Sequence, residues 1–144
     1  MDYTQNTKAN LPDISQTYSS VYDNHPIYSR IGGYVCDKTT GALKYKLDKM
    51  NRDKKSDGTP SNLTGTDGDV MTMIPAFYFK ATTNADGTVE FEIDGTIPDT
   101  YGSNGRVGFS VHPAFLKSDG TVKPYFLWGS YKAYSEGGTL RSIS

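Results

Sequence analysis

One cysteine and two histidines in 144 residues leave little from which to build thiol, disulfide or metal chemistry. Cys36 has no partner for an intrachain disulfide. Its neighbours Val35 and Asp37 offer nothing that would depress a thiol pKa, so a free, part-buried thiol is expected. His25 and His112 lie too far apart for a local metal motif and no Cys-His cluster exists, so neither metal nor cofactor is expected. Charge of one sign is missing too. Fifteen Lys and Arg stand against sixteen Asp and Glu, for a net charge of −1, so no overall field draws nucleic acid or an anionic membrane. No apolar run reaches the ~18 residues of a spanning helix. Met1-Asp2-Tyr3-Thr4-Gln5 has neither a basic nor an apolar leader region, so a chain that is not Sec-exported by itself and not inserted in a membrane is expected. The Gly-x-Ser-x-Gly elbow, the phosphate loop and Gly-x-Gly-x-x-Gly are absent.

What the chain does have is aromatic side chains and turns. Apolar residues make up only 35%, but eleven Tyr, six Phe and one Trp carry large buriable area with a polar rim, suited to a small β core or to a recognition surface. The length fits one domain. Asp-Gly recurs at Asp57-Gly58, Asp67-Gly68, Asp86-Gly87, Asp94-Gly95 and Asp119-Gly120, and Thr follows four of these. Gly accepts positive φ without a Cβ clash and Asp tolerates it, so these pairs predict tight turns between strands.

Two runs combine a strand pattern with proline: Met71-Thr72-Met73-Ile74-Pro75-Ala76-Phe77-Tyr78-Phe79 and Val111-His112-Pro113-Ala114-Phe115. Proline has no N–H for a central ladder, so each run must lie at an edge, at a bulge or where a strand leaves its sheet. Strict alternation predicts a strand over Thr88-Val89-Glu90-Phe91-Glu92-Ile93, with Val89, Phe91 and Ile93 on one face and a wet opposite face. The same pattern over Arg106-Val107-Gly108-Phe109-Ser110-Val111 predicts a strand with Val107, Phe109 and Val111 inward. Ala42-Leu43-Lys44-Tyr45-Lys46-Leu47 fits a strand, although Leu43, Leu47 and Met50 also keep helical spacing. The basic stretch Lys49, Arg52, Lys54, Lys55 is interleaved with Asp48, Asp53 and Asp57 and reads as a solvated loop.

Residues 1–26 are polar and interrupted by Pro12 and Pro26. They are expected to form an extended arm that docks on a partner through Leu11, Ile14, Tyr18, Val21 and Tyr22, ahead of a β-rich domain over residues 27–144.

The ordered blocks Tyr45-Lys46-Leu47-Asp48, Lys55-Ser56-Asp57-Gly58-Thr59-Pro60-Ser61-Asn62-Leu63-Thr64-Gly65-Thr66-Asp67-Gly68-Asp69-Val70-Met71 with Ile74-Pro75-Ala76-Phe77-Tyr78-Phe79-Lys80, Gly108-Phe109-Ser110-Val111-His112-Pro113-Ala114-Phe115, and Tyr125-Phe126-Leu127-Trp128-Gly129-Ser130-Tyr131-Lys132-Ala133 resemble a recurrent family of bacteriophage and prophage virion proteins. Its members are tail-fibre or fibre-tip proteins, and some are similar to the variable proteins of diversity-generating retroelements. The resemblance covers about residues 27–144. It implies a mainly β fold with irregular loops, corresponding to the front half of a C-type-lectin-like domain of the formylglycine-generating-enzyme type, preceded by the extended N-terminal arm. The family's enzymatic relatives use cysteines that Cys36 does not match, so the resemblance implies no enzyme.

The function so implied is that of a phage virion structural protein in a tail-fibre, tail-tip or head-fibre assembly, located in the virion and assembled in the bacterial host cytoplasm. It would anchor or scaffold host-receptor recognition. Expected partners are other virion proteins, further copies of itself as a homotrimer, and a host cell-surface glycan or protein. Candidate ligand or partner residues are Tyr125, Phe126, Trp128, Tyr131 and Tyr134, whose density suits stacking on sugar rings or filling a pocket and equally suits a core edge. A free carbohydrate-binding module is the alternative. A third is a hydrolase using carboxylates such as Asp94 with Asp99 or Glu90 with Glu92. Thr66-Asp67-Gly68-Asp69 places two carboxylates around a glycine, but without the remaining calcium ligands it reads as a turn.

Overall fold

The computed structural model describes residues 24–144. These residues form a mainly β structure of open antiparallel sheets. Strands β1 (Gly32–Cys36), β2 (Leu43–Lys46), β3 (Asp69–Pro75) and β7 (Tyr125–Gly129) make one sheet in the order β2-β1-β3-β7. Strands β4 (Tyr78–Thr83), β5 (Val89–Asp94) and β6 (Ser110–Val111) make a second, ordered β5-β4-β6. A short hairpin pairs β8 (Tyr134–Glu136) with β9 (Thr139–Arg141). Two single-turn 3-10 segments, Tyr28–Arg30 and Pro113–Phe115, complete the elements.

The turns follow the sequence chemistry. At Asp57, Asp86 and Asp119 the carboxylate accepts both the backbone N–H and the hydroxyl of the Thr two residues on, at 2.9 and 2.6 Å in each case. The intervening Gly58, Gly87 and Gly120 take φ of +85°, +83° and +80°. These bonds favour the ionised carboxylate, and all three acids are held below the ordinary range, the Thr hydroxyl being the largest cause.

Pro75 closes β3 opposite Tyr125, beyond Met73, whose partner Gly32 is the first residue of β1. The side on which Pro75 has no N–H therefore has no strand to bond, and the proline costs the ladder nothing. After it the chain turns at Ala76 and enters the other sheet as β4. Pro113 plays the matching part after β6. His112 caps the 3-10 turn, its Nδ1 accepting the Ala114 N–H at 3.3 Å.

Two apolar clusters hold the sheets. Ala76, Tyr78, Val111, Phe115 and Val122 form one, with Ile74, Phe77, Phe109 and Phe126 packed against it. Phe115 is fully buried and meets Phe77 edge-on at 5.4 Å and Phe126 at 5.6 Å between ring centroids. Val35, Leu47 and Val70 form the second, flanked by Tyr45, Leu63 and Tyr131. Gly68 makes the second cluster possible. A Cβ at this position would lie 2.0 Å from the Cys36 carbonyl oxygen, so only glycine lets the turn enter β3 against β1.

Sequence patterning matches β2 as a strand and the irregular basic loop after it. It fails between Arg106 and Phe109. Only Ser110–Val111 is strand; a turn at Val107-Gly108, with Gly108 at φ +85°, leaves Val107 98% exposed instead of inward. Glycine in an alternating run marked a turn there. Alternation holds in β5, but its apolar face is uncovered: Phe91 is 69% exposed, and Val89 and Ile93 also face outward. Both faces of the strand are therefore accessible, not one.

Candidate functional site

Of the five aromatic candidates near β7, three contribute to packing. Phe126 seats on the Phe115 cluster. Tyr131 packs against the Val35, Leu47 and Val70 cluster, and its backbone N–H donates to the Ser142 hydroxyl at 3.0 Å. Tyr125 is half-buried opposite Pro75. Trp128 and Tyr134 face outward, 69% and 55% exposed, on separate sheets. The five thus do not form one platform. The arm candidates Leu11, Ile14, Tyr18, Val21 and Tyr22 lie outside the described residues.

The end of β7 meets the β8-β9 hairpin in a shallow groove of about 180 Å³, lined by Met71, Gly129, Tyr131, Ala133 and Leu140 over Asp69 and Arg141. Arg141 is buried in its floor, and its donors are spent within the fold. Nε donates to Asp69 Oδ1 at 2.6 Å, Nη1 to Glu136 Oε2 at 2.5 Å and Nη2 to the Gly65 carbonyl at 3.0 Å. These carboxylates raise the guanidinium pKa further, the hydrogen bond to Asp69 most. The groove thus offers an apolar rim without a free cation from this arginine. Sequence reading missed Arg141, because only the fold brings Asp69 and the Gly65 carbonyl to it.

The other suspected chemistry is also absorbed by structure. His25 Nδ1 accepts the Ile27 and Tyr28 N–H groups at 3.2 and 3.4 Å, and His112 sits among Phe77, Phe79 and Phe115. Asp67 accepts the Tyr45 hydroxyl at 2.8 Å, and Asp69 is taken by Arg141. Among the described residues no group of three or more His, Cys, Asp or Glu is placed to hold a metal ion, and no helix is long and apolar enough to cross a membrane.

Asp94 and Asp99 are both held below the ordinary carboxylate range, Asp94 first by the Thr96 hydroxyl and Asp99 first by the Ser103 hydroxyl. A general acid needs a carboxyl pushed the other way. Glu92 pairs with Lys80 at 3.1 Å and with Arg106 at 3.6 Å, an exposed charge cluster of the solubilising kind. In the basic loop, Lys55 lies over the Tyr45 ring at 4.7 Å, and Asp48 caps the backbone of Met50 and Asn51.

Cys36 is a free, buried thiol in β1, and burial pushes its pKa up to about 11. That is the inert end of cysteine behaviour.

No protein-family model, curated protein or solved structure matches this chain.

Proposed function

We propose that this chain is a structural component of a bacteriophage particle, part of a tail-fibre, tail-tip or head-fibre assembly that anchors or scaffolds recognition of the host receptor. In that role its β framework is the front half of a C-type-lectin-like domain, its partners are other virion proteins and further copies of itself, and it catalyses nothing. One observation carries the reading: the sheets are open, and exposed apolar side chains lie on their edge strands. Val89 and Phe91 on β5, Trp128 on β7 and Leu140 on β9 are each at least half exposed, and each of these strands lies at the edge of its sheet. Such a surface suits a fold finished by neighbours. The four ordered sequence blocks that resemble phage fibre proteins supply the identity of those neighbours.

Antibody labelling of purified particles tests the proposal. Gold at a fibre or tail tip, with the chain sedimenting in the particle fraction, is the expected result. A chain found only in the soluble fraction, with unlabelled particles, would overturn it.

The exposure of Trp128 favours one second reading, a free carbohydrate-binding module that stacks a sugar ring on the indole. Glycan-array binding abolished by Trp128→Ala, with no particle association, would select it.

A further inference from the structure

Strand edges in this fold are treated very differently from one another. The outer edge of β2 is closed at its Lys46 end by the basic loop, Ser56 N–H donating to the Lys46 carbonyl at 2.9 Å and Leu47 bridging to Lys55, and Lys44 and Lys46 put like charge along the strand. β6 has only two residues. β5 is longer, but Glu90, Glu92 and Asp94 alternate along it, so every antiparallel register that keeps its faces aligned sets carboxylate opposite carboxylate. β7, Tyr125-Phe126-Leu127-Trp128-Gly129, bears no charge, and among the described residues no strand pairs with its outer side.

The bonds flanking β7 fix which of its groups point outward. Ala76 N–H donates to the Pro124 carbonyl at 2.9 Å, and Ser130 N–H to the Val70 carbonyl at 3.1 Å, so the even-numbered residues of this stretch bond toward β3. By antiparallel alternation Tyr125, Leu127 and Gly129 direct both N–H and C=O away from the sheet. Pro124 lacks its N–H on the inner side, where it does not weaken the outer edge.

We infer that the outer edge of β7 is the seat of the same strand from a second copy, paired antiparallel about a twofold axis at Leu127. This register sets every outward-bonding residue opposite another: Leu127 opposite Leu127 of the second copy, and Tyr125 opposite its Gly129. Between them Phe126 and Trp128 of the two copies meet as non-hydrogen-bonded pairs, where side chains approach closest. The tyrosine ring covers the glycine, a recognised compensation for glycine in a strand. No like charges face each other along the pair. The outcome is one continuous sheet across two copies, with Trp128, which the single chain leaves 69% exposed, enclosed at the junction. A twofold contact of this kind takes the place of the threefold order expected from fibres in general. It is independent of the proposed virion role.

Sedimentation velocity of the full chain across the micromolar range tests it, together with two variants. A dimer is expected. Trp128→Lys, at an exposed position, should raise the dimer dissociation constant about tenfold or more without unfolding the chain. Leu127→Cys should form a disulfide-linked dimer on mild oxidation, because hydrogen-bonded cross-strand Cα atoms lie about 5.5 Å apart, within disulfide reach. Phe91→Cys should not. A monomer, a trimer, or a dimer that Trp128→Lys leaves intact and that cross-links through Phe91→Cys would each overturn the inference. Particle labelling with a trimeric mass would leave the virion role standing and remove the twofold pairing. A dimer absent from particles would do the reverse.

Discussion

Arg141 and Asp69 meet at 2.6 Å across 72 residues of chain, in a setting where the arginine side chain is only 4% exposed. Asp69 opens β3, and Arg141 ends β9. Around this pair Ser142 bonds to the backbone of Val70 from both sides, its carbonyl accepting the Val70 N–H at 2.7 Å and its hydroxyl donating to the Val70 carbonyl at 2.7 Å. The C-terminal hairpin is thereby fastened to the central sheet. Arg141→Ala should leave the Asp69 carboxylate without its cation, lower Tm by several degrees and increase amide exchange in β8 and β9 first. Arg141→Lys should restore only part of the loss, since one ammonium cannot replace three fixed N–H directions.

Gly68→Ala should be among the most damaging single substitutions. Its methyl would lie 2.0 Å from a backbone oxygen at φ +147°, so the β1-β3 junction must move. We expect a loss of about 3 kcal/mol or more in urea unfolding. Gly87→Ala, where a Cβ meets nothing within 4 Å, should cost only about 1–2 kcal/mol, the conformational strain alone.

Phe126 and Trp128 are two residues apart on one strand and should separate stability from association. Phe126→Ala removes a ring packed on Phe115 and is expected to cost about 3 kcal/mol. Trp128→Ala should change the stability of the single chain by less than about 0.5 kcal/mol while weakening whatever binds that surface. Chemical denaturation beside a binding or self-association assay checks both.

The buried Cys36 thiol sets an alkaline limit. Its folded pKa, about 11, lies above the ordinary value of 9.0, so the folded state holds this proton more tightly. Its stabilising contribution is whole below the ordinary value and is lost as pH rises through about 11. Iodoacetamide at pH 8 should label the native chain far more slowly than the urea-unfolded chain, and equal rates would contradict the burial.

At the acidic end Asp37 works in the opposite direction. Two backbone N–H groups and a hydroxyl, from Thr40 and Thr39, hold its carboxyl down to about 2. A depressed folded pKa gives stability that is present above the unfolded value of about 3.9 and is lost as pH falls through about 2. Asp37→Asn should therefore flatten the stability profile across that window, as measured by urea midpoints at successive pH values.

Local chemistry was legible in the chain. Asp-Gly-Thr marked turns because an aspartate, a glycine and a hydroxyl are all a turn requires. Pro75 and Pro113 marked strand exits because the missing N–H is a local fact. Val107 and Phe91 show where local pattern gives out. Alternation states which residues share a face, but covering that face depends on distant chain, and Gly108 was free to turn. Trp128 and Phe126 look alike in sequence, and only Phe115, brought in from another element, decides that one is core and the other surface. Arg141 was invisible for the same reason: its partners are Asp69, Glu136 and the Gly65 carbonyl, and nothing in the spacing ties the first and last of these to it.

Cryo-electron microscopy of particles from the lysed host tests most directly the claim that this fold is finished by neighbours in a virion. Density for the chain is expected at a fibre or tail tip, with neighbouring chains covering the open edges of its sheets. Particles without the chain, or a copy whose sheet edges all face solvent, would contradict it.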